Sequence, residues 1–420
     1  MIQRPARCIF FSALLLGLSS YPPGTPDSYC APAGETPLPP ASAPASAAQT
    51  PPARTPAPAA QPRRKRHKKR PAVPPPTGRR KRHKTRPKSA EPAPSRAVIE
   101  RRMALPAGRW APPVRDALEK LLGSVGNESA EYDADNSPIA VLALDSVSMT
   151  HRPDHALFRY LVDHAKFQFD EGFWKRIPEP FGRGRMRACY NVFRDHPPAV
   201  WEKDGDFLSY RKDFHRAHAK VCAAWGEKEC SRWKLALLAG LEDAELRKMA
   251  GEAVNEALLE PVGTTPIGAF PEDPDSVEIR TGLRKIPEIQ DLCAALKARG
   301  FDLWLMSTSD EWSAQAFARL YGVDPARVVA FSARVAGGKL TEEILAPVPY
   351  GPGQAAAIVM LIGRSPALIL GGKGNADLLE YGTGLRVLSA ESQDGSPPAE
   401  LREGWLFQPA FKPVKTPQTP

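Results

Sequence analysis

Pro138-Ile139-Ala140-Val141-Leu142-Ala143-Leu144-Asp145 is an unbroken apolar run that ends on a carboxylate. So short and continuous a run suits a strand buried on both faces of a parallel sheet, where neither direction of its side chains meets water. An amphipathic helix near Val114–Leu122 precedes it. Residues from about 151 to 260 then read as helices rich in aromatics: Phe158, Phe167, Phe173, Trp174, Tyr190, Trp201 and Trp225. Helical periodicity is clearest over Ser231–Leu258, with a restart at Asp243-Ala244. From Ile286 the pattern alternates. A helix over Ile286–Arg299 stopped by Gly300, a strand over Phe301–Met306 and a helix through Leu320 come first. A strand over Arg327–Phe331, a hairpin-like stretch and a helix near Gly353–Ile362 follow. Strands at Ala367–Leu370 and Leu385–Leu388 flank a short helix at Asp377–Tyr381.

Strands alternating with helices require right-handed crossovers and give a doubly wound parallel sheet of the α/β class. An insertion of helices after the first strand would form a cap over the carboxyl ends of the strands, where open α/β sheets place their ligands. The expected division is a core at 98–150 and 261–395, a helical cap at 151–260 and a tail at 396–420.

The amino-terminal part has a different composition. Arg4 and Arg7, the apolar stretch Cys8–Leu18 and Ser19-Ser20 read as an export signal over residues 1–20. The expected location is therefore periplasmic or extracellular, with tethering by an uncleaved segment as the alternative. Residues 21–97 are Pro/Ala-rich and too poor in large apolar side chains to offset the ordering of their backbone, which predicts a long disordered arm. Within it Arg63-Arg64-Lys65-Arg66-His67-Lys68 recurs as Arg79-Arg80-Lys81-Arg82-His83-Lys84, inside basic repeats at 63–70 and 79–88. Arg63 to Lys88 holds 14 Lys or Arg and no acid, so the formal charge of +10 becomes 10 − 14 = −4 elsewhere. The basic character belongs to the arm, and the globular part has no electrostatic case for nucleic-acid binding. The arm suits a polyanionic surface, envelope lipid or polysaccharide if exported, or nucleic acid phosphates if not. No aromatic residue interrupts the tract to stack on bases.

Ile279-Arg280-Thr281-Gly282-Leu283 to Ile289, the Gly300–Ser309 strand with its polar end, Tyr321-Gly322-Val323-Asp324-Pro325-Ala326-Arg327-Val328 and the helical pair Trp233–Ala253 together resemble the haloacid-dehalogenase superfamily. The likeness is to its phosphoserine and phosphorylcholine phosphatase branch, over residues 136 to 395. It implies a capped Rossmann-like core and covalent phosphoryl transfer. A first aspartate attacks phosphorus, and a second, two residues on, handles protons. Mg²⁺ and a lysine neutralise the phosphate.

Carried onto this chain, the pattern is mostly lost. The nucleophile position holds Ala143, and the acid–base position keeps Asp145. Ser307 fills the second motif, with Thr308 and Ser309 behind it to bind phosphate oxygens. The lysine position holds Gln354, and Lys339 sits in the preceding hairpin. In Gly371-Gly372-Lys373-Gly374-Asn375-Ala376-Asp377 the metal-ligand positions are Gly372 and Ala376, and Asp377 falls one residue late. Shifting the register to make Asp145 the nucleophile puts Val147 at the acid–base position, so neither register restores two carboxylates. Lys373 among glycines offers a cradle for an anion instead.

The expectation is thus a catalytically degraded domain that binds a small phosphorylated or anionic ligand through Ser307, Thr308 and Lys373. The alternative is a divergent phosphomonoesterase using Asp145, with Mg²⁺ on Asp145 and Asp377 and with Asp377 or Asp310 compensating. Trp174, Tyr190 and Trp201 are either a cage for a quaternary ammonium group or cap core. His215 and His218, three apart on a helix, are compatible with a site. Beyond Cys8 the cysteines are Cys30, Cys189, Cys222, Cys230 and Cys293. That odd number gives no disulfide framework, although Cys222 and Cys230 are close enough to pair.

Overall fold

The computed structural model describes residues 105–392, 394–412 and 414–419. The stretches read as an export signal, an arm and two basic repeats lie outside the described residues. Six parallel strands form one sheet: β1 (Ile139–Ala143), β2 (Asp302–Asp310), β3 (Val328–Phe331), β4 (Leu368–Gly371), β5 (Leu385–Ala390) and β6 (Leu406–Pro409). Their order is β6-β5-β4-β1-β2-β3. Val141 sits opposite Trp304 on one side and Ile369 on the other, so β1 is central and every one of its residues is buried.

Because side chains alternate along a strand, β1 feeds two cores. Ala140 and Leu142 pack with Leu303 and Leu305 against α1 (Pro112–Val125), which contributes Val114 and Leu118. Ile139 and Val141 pack with Trp304, Met306 and Ile369 on the other face. Each fully buried Leu or Ile here contributes roughly 1.5–3 kcal/mol. The chain order reverses at β1, with β2 leaving to one side and β4 to the other, and this opens a crevice at the strands' carboxyl ends.

The cap is inserted between β1 and β2. It comprises α2 (Pro153–Asp163), α3 (Glu171–Arg176), α4 (Arg183–Phe193), α5 (Gly205–Leu237) and α6 (Asp243–Leu259). Its core is aromatic: Phe169 stacks on Tyr190 at 4.0 Å, and Trp174, Phe173 and Phe214 close around them. The helices of α5 meet at Gly226, whose φ of 77° and ψ of 168° are non-helical. A side chain there would be strained, so glycine permits the kink. The core helices α7 (Pro287–Ala298), α8 (Glu311–Ala318), α9 (Pro352–Ala357) and α10 (Ala376–Tyr381) cover the sheet.

The architecture fits the expected haloacid-dehalogenase-like α/β fold. Two differences have physical reasons. Residues 396–420, read as a tail, include β6 and bury Phe411 against Trp110 at 5.0 Å. The strand is four residues long, begins two residues after Gly404 and ends on Pro409, too short to show a period. An antiparallel hairpin, Gly263–Ile267 with Val277–Thr281, follows the cap helices. Lys212 of α5 binds Asp273 in its loop at 2.7 Å, so this stretch joins the cap rather than the core. Among the described residues no helix is long and apolar enough to cross a membrane.

Candidate functional site

Where β1 ends, the backbone makes a single wide helical turn over Leu144–Ser148 before the chain passes to the cap. That turn carries Asp145 to the carboxyl edge of the sheet, where Ala143, almost fully buried against the core, lines the floor of the same cleft. The neighbouring strand β2 ends in Ser307-Thr308-Ser309, and all three grip Asp145. Ser307 Oγ donates to Asp145 Oδ1 at 2.8 Å and Oδ2 at 3.0 Å. Thr308 Oγ1 donates to Oδ2 at 3.0 Å, and the Thr308 backbone N–H donates to the same oxygen. Ser309 Oγ donates to Oδ1 at 2.7 Å. Both oxygens of the carboxylate are therefore occupied by donors of the chain.

Asp145 opens onto a cleft of about 840 Å³, whose charged walls include Arg152, Arg280, Lys373 and Glu227. Thr308 faces this cleft, but Ser307 is 1 % exposed and lies behind it. Lys373 begins a short turn after β4, is half exposed, and reaches Glu400 at 3.4 Å. The Gly372 N–H on that turn is taken by the Asn375 side chain at 2.9 Å.

Asp377 lies on the first turn of α10 and is not among the residues lining the cleft. Its Oδ2 would sit 3.5 Å from a Cβ added at Gly351. Gln354 is fully buried on α9, with neither side-chain amide atom hydrogen-bonded. The tight loop before it needs Gly353, since a Cβ there would lie 1.9 Å from the Val348 carbonyl oxygen. Lys339 is in the hairpin 333–344 and pairs with Glu242 at the cap's edge. Asp310 caps α8, accepting from the Ser313 backbone N–H at 2.8 Å and its hydroxyl at 2.7 Å. Burial, with Asp154 nearby, pushes its carboxyl up to about 6.

The Mg²⁺ implied by the fold family is not matched by these donors. A hard cation needs several oxygen ligands. Gly372 and Ala376 supply no side-chain oxygen, and both oxygens of Asp145 already accept hydrogen bonds. Among the described residues no group of three carboxylate, imidazole or thiol ligands forms at Asp145.

Several residues were not singled out from the sequence. Arg152 joins the cap to the core: its guanidinium donates to Asp154, to Ser231 Oγ at 3.1 Å and to the Thr308 carbonyl at 2.7 Å. Asp154 also takes the ammonium of Lys234. Burial works against the Asp154 charge, but Arg152 and Lys234 together hold its carboxyl well below the usual range. Lys234 is itself lowered by burial, with Asp154 opposing. The sequence signal for this cluster is faint, a lone Arg-Pro-Asp before a helix. Arg280, on the cap hairpin, is exposed on the cleft and makes no ion pair among the described residues. Trp174 and Tyr190 belong to the cap core, and Trp201 packs on Phe193 and Phe207. None of the three lines the cleft.

No protein-family profile and no curated protein matches the chain. Among solved structures, a conserved protein of unknown function from Anaerococcus prevotii aligns with TM-score 0.61 and 17% identity, covering 70% of this chain and 89% of that one. This shows a shared fold. A protein of unknown function from Bordetella pertussis (TM-score 0.38, 15% identity, 64% of this chain and 96% of that) also matches. So does a substrate-bound phosphoserine phosphatase (TM-score 0.32, 11% identity, 60% and 86%).

Proposed function

We propose that this haloacid-dehalogenase-like domain binds a small phosphorylated or otherwise anionic ligand in the cleft at its strand ends and does not hydrolyse it. One observation carries the reading. The hydroxyl and amide donors of Ser307, Thr308 and Ser309, the residues that the resemblance assigns to phosphate, are taken up by the chain's own Asp145. A carboxylate stabilised by that many donors is a poor nucleophile, because each oxygen's lone pairs are already engaged and attack by either would weaken the bonds it accepts. Ala143 leaves no second carboxylate on the strand end. The ligand is instead met by Arg280 and Lys373, two cations that line the cleft. Export and tethering of the domain by the basic arm at a polyanionic surface belong to the same reading and are supported by sequence alone.

The divergent phosphomonoesterase has one observation in its favour: Asp145 is a strand-end carboxylate that faces the cleft. Two assays on the full chain separate the readings. Titration calorimetry with inorganic phosphate should show binding that weakens about tenfold in Arg280→Ala, the loss of one charge-assisted contact. Mg²⁺-dependent hydrolysis of an aryl phosphate should give no turnover in wild type or Asp145→Asn. Turnover that vanishes in Asp145→Asn would replace this proposal with the enzyme. Absence of phosphate binding in wild type would refute the binding role.

A further inference from the structure

Behind the cleft, inside the cap, is a second cavity of about 420 Å³ that shares Arg152, Glu227 and Arg280 with it. On its wall the kink of α5 brings three ligand-type side chains together. His218 and Cys222 are four residues apart, one helical turn, and so share a face. Cys230 is eight residues beyond Cys222. In a straight helix that separation would be about 12 Å, yet the two Cα atoms are 4.8 Å apart because the chain turns at Gly226. Cys222 and Cys230 are joined as a disulfide. An imidazole nitrogen of His218 and both sulfurs lie within 4.8 Å of one another.

The His218 ring is held in place by Phe158, with centroids 4.8 Å apart, by His155 at 5.3 Å and by Trp233 at 6.4 Å. Its Nε2 is buried with no hydrogen-bond partner among the described residues. A buried imidazole nitrogen without a partner normally costs stability unless something unseen occupies it. Nearby carboxylates do not answer for it: Asp154 is engaged by Arg152 and Lys234.

We propose that, with Cys222 and Cys230 reduced, His218, Cys222 and Cys230 bind a borderline-soft divalent cation such as Zn²⁺, with the fourth position open to the cap cavity. The site is independent of the anion-binding reading. Sulfur and imidazole suit this class of metal, and three protein ligands with one open position is the pattern of a reactive rather than a closed structural site. A tetrahedral site needs the sulfurs roughly 3.8 Å apart, from metal–sulfur bonds of about 2.3 Å. The glycine at 226 gives the turn the freedom to open by that amount. The disulfide and the metal complex are alternative states of the same sulfurs. A dithiol delivers two electrons and two protons to the disulfide, becoming a disulfide itself and leaving two thiols. The cation then displaces both thiol protons as it binds.

The test uses the full chain, oxidised and after reduction by a water-soluble phosphine that is then removed. Co²⁺ reports thiolate ligation through its charge-transfer absorption, and Zn²⁺ is followed by competition. The expected result is one Co²⁺ bound per reduced chain with thiolate bands, none in the oxidised chain, and displacement by Zn²⁺. His218→Ala, with its folding checked by far-ultraviolet circular dichroism, should weaken binding by more than about 100-fold, since outer contacts alone cost roughly 10–100-fold. Reduced protein with unchanged far-ultraviolet circular dichroism but no thiolate bands would overturn the proposal. So would bands of equal strength in His218→Ala.

Discussion

The cleft at the sheet edge and the cavity in the cap share a wall but treat polar atoms in opposite ways. In the cleft, the motif that would receive a ligand is satisfied internally: Asp145 accepts from three consecutive residues of β2. In the cap, His218 Nε2 is buried with no partner, beside two sulfurs. Conserving a motif's letters therefore says little about vacancy. What matters is whether the donors and acceptors of the folded chain already answer one another.

The wall itself gives the strongest way to break the comparison. Asp154→Ala removes the carboxylate that pairs directly with Arg152 and Lys234, leaving only the more distant Asp145, Glu227 and Asp310, and should cost about 3–5 kcal/mol in urea unfolding. A much smaller loss would mean that water reaches this wall from both cavities. Asp310 sharpens the same boundary through pH. Its carboxyl titrates near 6 in the fold against 3.8 for the unperturbed group, so unfolding below 3.8 meets a protonated group in both states. As pH rises from there through about 6, the unfolded chain ionises first and the folded chain loses stability. Asp310→Asn removes that loss, and should gain on wild type by as much as ~3 kcal/mol by pH 8, following 1.36 kcal/mol per pKa unit. A pH-independent difference would contradict the burial assigned to Asp310.

On the cleft side the effects are smaller. Asp145→Ala strips the acceptor from Ser307, Thr308 and Ser309 and should destabilise by about 1–2 kcal/mol, softened because water enters from the cleft. The same variant should bind phosphate more tightly than wild type by calorimetry, since the donors become available. Weaker binding would mean that Asp145 helps to hold the ligand. Lys373→Ala should leave the melting temperature unchanged, because its pairing with Glu400 is solvent-exposed.

The fold was readable where one face or both were buried. The run 138–145 is a central strand, and the alternation after Ile286 is the doubly wound sheet. The restart at Asp243 is the start of α6. β6 was not readable, because four residues ending on a proline carry no period. At the site, the residue types at 143, 145, 307 and 372 were plain from the sequence, but their bonding was not. That Ser307 donates to Asp145 rather than to solvent depends on the register of β1 against β2, with Ala143 opposite Met306. Arg152 was invisible for the same reason, since its partners Ser231 and Thr308 are 79 and 156 residues away. The His218–Cys222 spacing was there to be noticed. Cys230 joins them only through the turn at Gly226.

Arg152 also sets a tempo. Its guanidinium spans cap and core, holding Asp154 and Ser231 on one side and the Thr308 carbonyl on the other. A cap that swings on its linkers would have to pull this buried cation off a backbone oxygen on every excursion. Molecules should therefore enter and leave by percolating through a standing gap, and residence times should follow the width of that gap rather than the frequency of any swing.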